Sequence, residues 1–128
     1  PGESRETVLR TIDYLNRLPI QGVKLQLLHV LSDSDLADLY RAGEYTPLEK
    51  EEYLTLVGDC IAHLRADIVL HRLTGDGDKN TLLAPLWSLR KRDVLNHLHR
   101  YLRENHIRQG MSCKIDLSVI YNKPKDVL

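Results

Sequence analysis

The sequence predicts an α/β fold. Two short apolar runs bounded by turn residues read as strands buried on both faces, and a strongly signalled helix separates them. A helical segment precedes the first run and an arginine-rich amphipathic segment follows the second. Two strands joined through a helix form a βαβ unit, normally parallel and right-handed, and helix alternating with buried strand is the grammar of α/β folds.

The first helix is expected from Ser4 to Leu18. Ser4 is a capping residue, Val8, Leu9, Ile12, Leu15 and Leu18 recur at helical spacing, and Pro19 stops the run. Gly22 then opens the first strand, expected over Val23–Leu31. Residues 32–45 read as a long acidic loop with a short helix at Leu36, Leu39 and Tyr40. Thr46 as N-cap, Pro47 at the first helical position and Glu49 as capping-box partner predict a second helix ending near Arg65, with Leu54, Val57, Cys60, Ile61 and Leu64 on its apolar stripe.

Ile68–Leu73 is the second strand, running into the polar loop Thr74-Gly75-Asp76-Gly77-Asp78. Residues 80–87, with Pro85, are expected to be irregular. Ser88 is expected to cap a third helix reaching His106 and burying Leu95, Leu98 and Leu102, with Gly110 closing it. Ile115, Leu117, Val119 and Tyr121 alternate as an edge strand would.

Hydrophobic residues make up 42% of the 128 and charged residues 28%, an ordinary globular composition, and 18 basic residues cancel 18 acidic ones. No apolar run reaches the roughly 18–20 residues of a membrane span, and the polar opening carries no secretory signal. The two cysteines, Cys60 and Cys113, build no disulfide framework, so a reducing, cytoplasmic setting is expected. The chain opens Pro1-Gly2 without an initiator Met and holds few strands for a sheet, so it reads as a segment of a longer protein.

Charge is unevenly spread. Residues 32–59 hold eight acids against two bases, whereas residues 88–108 hold six bases against two acids, plus His97, His99 and His106. Such a basic helix can bind phosphates; it also fits a solvated outer face.

His29 and His71 fall late in their strands, where parallel sheets gather their sites, so both, with Arg72 and Asp76, can converge on one pocket. The alternative is two hydrogen-bonded core histidines. The Gly75-Asp76-Gly77 loop lacks the Lys and Ser/Thr of a phosphate-binding P-loop and the ligand series of a calcium loop. Cys60 and His63 sit three apart but have no second ligand pair, so no metal site is expected.

Particular strings carry a resemblance. Pro1-Gly2-Glu3-Ser4-Arg5-Glu6-Thr7 is similar to the segment after the fifth strand of radical SAM enzymes. Leu27-Leu28-His29-Val30-Leu31, with Leu39-Tyr40 and Gly43-Glu44-Tyr45, resembles their sixth strand and its loop. His71-Arg72-Leu73-Thr74-Gly75-Asp76-Gly77, Ala84-Pro85-Leu86-Trp87-Ser88 and Lys91-Arg92-Asp93-Val94-Leu95-Asn96 resemble one group, the YhcC/YtqA-type proteins related to the elongator catalytic subunit. The likeness covers residues 1–110; residues 111–128 form a tail outside it.

The resemblance implies the C-terminal segment of a partial (β/α) barrel, with two or three mainly parallel strands and three principal helices. In such enzymes a 4Fe–4S cluster cleaves S-adenosylmethionine to a 5′-deoxyadenosyl radical. The cluster is held by a three-cysteine loop absent here, so this chain is expected to hold no cofactor alone and to be inactive alone. By position Gly2, Glu3, His29 and Val30 fall near S-adenosylmethionine. His71, Arg72 and Asp76 line the substrate side, with Arg90, Lys91 and Arg92 as further substrate contacts. Kinship points to tRNA, with wobble-uridine modification as the leading reading. The other readings are a non-catalytic RNA- or protein-binding module using the basic helix at 88–108, and a chain that self-associates through an exposed sheet edge.

Overall fold

The computed structural model describes residues 2–75, 77–115 and 120. Asp76 and most of the expected tail strand at 115–121 lie outside the described residues. Among the described residues, helices and short strands follow in the order α1 (Arg5–Asn16), β1 (Gly22–Lys24), β2 (Val30–Leu31), α2 (Asp35–Arg41), α3 (Lys50–His63), β3 (Val69–Arg72), β4 (Leu82–Ala84) and α4 (Lys91–Glu104).

α1 starts as its sequence dictates. Ser4 Oγ accepts from the Thr7 N–H at 3.3 Å, and Thr7 Oγ1 accepts from the Ser4 N–H at 2.8 Å, so two of the helix's orphan donors are satisfied reciprocally. The expected βαβ unit is present: β1 and β3 pair in parallel, Gly22 opposite Val69 and Val23 opposite Leu70, with α3 between them in sequence.

The expected nine-residue first strand is instead broken in two. Leu25 makes one more bond to the β3 side, donating to the Arg72 carbonyl at 2.8 Å. Leu27 then turns into the core between α3 and α4 while Leu28 stays exposed, and Val30 and Leu31 pair antiparallel with β4. An apolar run marks burial, not where its partner ends, and β3 offers only four residues. The second sheet therefore uses residues 82–84, expected to be irregular.

Two helix starts also differ from expectation. α3 begins at Lys50, with Glu49 as N-cap residue and its N–H donating to the Glu52 carboxylate at 3.2 Å. Thr46 and Pro47 stay outside the helix because the Leu48 carbonyl accepts from Trp87 Nε1 at 3.1 Å, tying this segment to the chain before α4. Ser88 does not cap α4. Its hydroxyl donates to the Pro85 carbonyl at 2.7 Å within a 3₁₀ turn at Leu86–Leu89, and α4 begins at Lys91 with no side-chain cap.

The main core joins Leu27, Tyr53, Leu54, Val57, Ile61, Val94 and Leu98; a second cluster of Ile12, Cys60, Leu64 and Ile68 binds α1 to α3. α3 and α4 approach closely at Gly58, where a Cβ would lie 2.7 Å from the Tyr101 ring.

The helices cover one face of the parallel pair. Val23, Leu25 and Leu70 point into the α1–α3 cluster, whereas Lys24, Val69 and His71 are exposed on the other face.

Buried polar groups close the corner where α1, β1 and α3 meet. The Arg65 guanidinium, buried with its backbone, donates to the carbonyls of Asn16 (2.7 Å), Leu18 (3.1 Å) and Ile20 (3.0 Å) and to Asp67 (2.5 Å). Asn16 Oδ1 accepts from the Arg65 N–H at 2.8 Å, and its Nδ2 donates to the His63 carbonyl at 2.7 Å. After α4 the chain folds back: the N–H groups of Gly110 and Ser112 donate to the carbonyls of Ile61 and Ala62, and Gln109 Nε2 to those of Arg65 and Ile68. Orphan carbonyls at the end of α3 are thereby capped by a segment distant in sequence.

Candidate functional site

His29 lies between β1 and β2 with its ring against the loop after β3. A Cβ on Gly75 would lie 2.5 Å from His29 Cε1, and one on Gly77 3.4 Å from Cδ2. The ring therefore packs on the glycine loop, and Gly75 is needed there because any side chain would strike the imidazole. His29 Nε2 is buried without a hydrogen-bond partner among the described residues. Burial, and then the charge of Lys91, hold its pKa below the usual histidine value, so the ring is neutral at pH 7. A neutral imidazole with an unused nitrogen can donate or accept one proton if the loop uncovers it.

Two aromatic residues set the loop's starting point. Tyr53 Oη donates to the Leu73 carbonyl at 2.6 Å, and its ring stacks at a tilt on Trp87, 5.5 Å between centroids. Burial pushes the Tyr53 phenol up to about 12, so the hydroxyl remains a donor. The sequence reading missed both roles; the signal available was the single Trp among six Tyr and no Phe.

The structure thus brings together His29, Gly75 and Gly77, with Lys91 close enough to act on the ring. Arg90 and Arg92 flank Lys91 at the exposed start of α4. His71 is not packed on this loop: its ring lies over Gly22 at the start of β1, where a Cβ would meet Nε2 at 2.4 Å. Arg72, next in β3, is half-buried on the opposite strand face. Asp76 lies outside the described residues.

Gly2 and Glu3 occupy a different place. They line an open cleft of about 990 Å³ between the segment leading into α1, the outer edge of β1 and α3. Its wall includes Leu25, Leu27 and Leu28, with Arg5 paired to Asp59 at 2.6 Å. The lining stops at Leu28, short of His29 and of Val30, which is fully buried.

No group of three His, Cys, Asp or Glu side chains among the described residues is placed to hold a metal. Cys60 is buried in the α1–α3 cluster, where burial pushes its thiol up to about 11. Cys113 Sγ accepts from Asn16 Nδ2 at 3.6 Å. These residues do not fit an iron–sulfur cluster, which needs convergent thiolates. No helix among the described residues is long and apolar enough to cross a membrane.

The model of the Radical_SAM C-terminal domain family matches residues 20–104. The chain belongs to that family. It is 31% identical over 110 residues to the uncharacterized protein YtqA of Bacillus subtilis, covering 86% of this chain and 34% of YtqA. It is 32% identical over 107 residues to protein YhcC of Escherichia coli, covering 84% and 35%. Uncharacterized protein MJ0486 of Methanocaldococcus jannaschii is 31% identical over 111 residues, covering 86% and 34%. The chain spans about a third of the length of the curated relatives it matches. The radical SAM resemblance expected from the glycine loop and its flanks is borne out, and the family implies S-adenosylmethionine and a 4Fe–4S cluster in the whole protein.

Proposed function

We propose that this domain is the C-terminal part of a partial (β/α) barrel in a radical SAM enzyme that modifies tRNA, with a wobble uridine as target. The observation that carries the barrel part of the reading is the parallel β1–β3 pair. Helices cover one of its faces, while the other, with Lys24, Val69 and His71, is bare, and β1 pairs on one edge only among the described residues. A barrel wall has this form: helices outside, strand side chains facing a shared interior. Family membership supports the same reading.

The cluster, held elsewhere in the whole protein, supplies reductive cleavage of S-adenosylmethionine. Gly2 and Glu3, at the cleft, would hold that cofactor on this side; His29 and Val30, which the resemblance also put there, lie outside the cleft lining. His71, on the bare face, would face the substrate, whereas Arg72 points to the helix-covered side of β3 and does not share that face. The Tyr53–Leu73 bond and the His29–Gly75 contact fasten the end of β3 and Gly75 to α3 and to the segment between β1 and β2.

Anaerobic purification of the full-length protein tests this. A brown, oxygen-sensitive protein that forms 5′-deoxyadenosine from S-adenosylmethionine on reduction is expected. A protein that stays colourless after reconstitution and forms none would refute the reading.

A further inference from the structure

α4 buries Val94 and Leu98 against the core. On its far side Arg92, Asn96, His99 and Arg103, and then His106 just past the helix end, recur at steps of four, three, four and three, and every one is exposed. That spacing puts them on one stripe, about 16 Å long from Arg92 to Arg103. No acid lies on the stripe. Asp93 is engaged elsewhere, with Lys50 Nζ at 3.2 Å and His97 Nε2 at 3.4 Å, and Arg92, Arg100 and Arg103 make no ion pair among the described residues.

The foot of the stripe is unusual in two ways. Arg90, Lys91 and Arg92 crowd cations at the helix N-terminus, where the macrodipole disfavours them and favours an anion. Just before them the 3₁₀ turn exposes Leu86 (62%) and Leu89 (43%).

We propose that this face of α4 is an RNA-binding surface: Arg92 and Arg103 on the stripe, with the exposed Arg100 beside it, follow the phosphates, and Leu86 and Leu89 contact a base at the foot. The proposal rests on the reading of the domain as part of an RNA-modifying enzyme and names the surface that reading requires. Charge complementarity selects the partner. A protein helix docking along α4 would need apolar anchors at i, i+3 and i+4 spacing. The stripe has none between Arg92 and His106, whereas a phosphodiester strand needs only a row of cations and a few base contacts.

Fluorescence anisotropy of the protein with a labelled stem–loop RNA, between about 50 and 200 mM salt, tests the surface. Three phosphate contacts give a slope of log K against log salt of roughly −2 to −3. Arg92→Ala with Arg103→Ala is expected to flatten the slope by between roughly one and two while circular dichroism stays unchanged. Leu86→Ala with Leu89→Ala is expected to weaken binding at constant slope. Absence of binding at low salt, an unchanged slope in the arginine variant, or equal affinity for polyglutamate would overturn the proposal. The radical chemistry is read by 5′-deoxyadenosine and this surface by anisotropy, so each can fail alone.

Discussion

The corner around Arg65 and the corner around His29 both bury polar atoms, and they treat them in opposite ways. At the first, a buried guanidinium and a buried carboxamide are matched by carbonyls of Asn16, Leu18, Ile20 and His63 and by the Asp67 carboxylate. At the second, a histidine whose ring packs on a glycine loop has a buried nitrogen that binds nothing among the described residues. Buried polar groups are normally satisfied, because leaving one unpaired costs about 1–3 kcal/mol. The satisfied corner fastens α1 and the returning chain onto α3. The unsatisfied one sits where a loop of the resemblance-bearing string meets the start of α4, and a cost tolerated there points to use.

Arg65→Ala gives the largest expected effect. It leaves Asp67 and three carbonyls without their buried partner, a loss of about 3–5 kcal/mol measured by urea unfolding. If that variant does not fold, Arg65→Lys should fold with reduced stability, since an ammonium cannot reproduce the planar fork. A wild-type midpoint for either would break the comparison on its structural side.

Gly75→Ala is next, with a cost of about 1–3 kcal/mol from driving a methyl group into the His29 ring. Adding His29→Ala should recover most of it. Strictly additive losses would mean that ring and loop do not touch in solution.

The pH dependence of His29 is smaller. Its folded pKa is lowered, so below the ordinary value of about 6.5 the unfolded chain takes up a proton that the folded chain does not. Its contribution is therefore level above that value and is lost as pH falls toward the lowered folded pKa. His29→Leu should lessen the loss of urea midpoint between about pH 7.5 and about 5.5; an identical pH profile in both proteins would contradict the burial argument.

The least perturbing test is thiol labelling at about pH 8. Cys113, half-buried, should react first, and Cys60 only on unfolding, because its thiol is pushed up to about 11 in the core. Prompt reaction of both would show that the α1–α3 cluster is open.

Local signals were legible where one segment decides its own structure. Ser4 caps α1, α2 forms within the acidic loop, and the two apolar runs around α3 yield a parallel pair. What sequence hid was set by distant partners. Trp87 removes Leu48 from α3, β4 captures Val30 and Leu31 from the first apolar run, and Arg65, read as a helix end, becomes a buried clasp. At the site, the glycine loop and His29 were each visible, but their contact was not. Their places late in the two strands pair His29 with His71, and nothing in the residue order shows that His71 packs over Gly22 instead.

The most direct test combines activity with stability in the full-length protein carrying His29→Ala. The account predicts that the reduced wild-type protein forms 5′-deoxyadenosine from S-adenosylmethionine, and that the variant forms it more slowly with its urea midpoint held or raised. Formation at the wild-type rate with a lowered midpoint would contradict it, making His29 another structural clasp like Arg65.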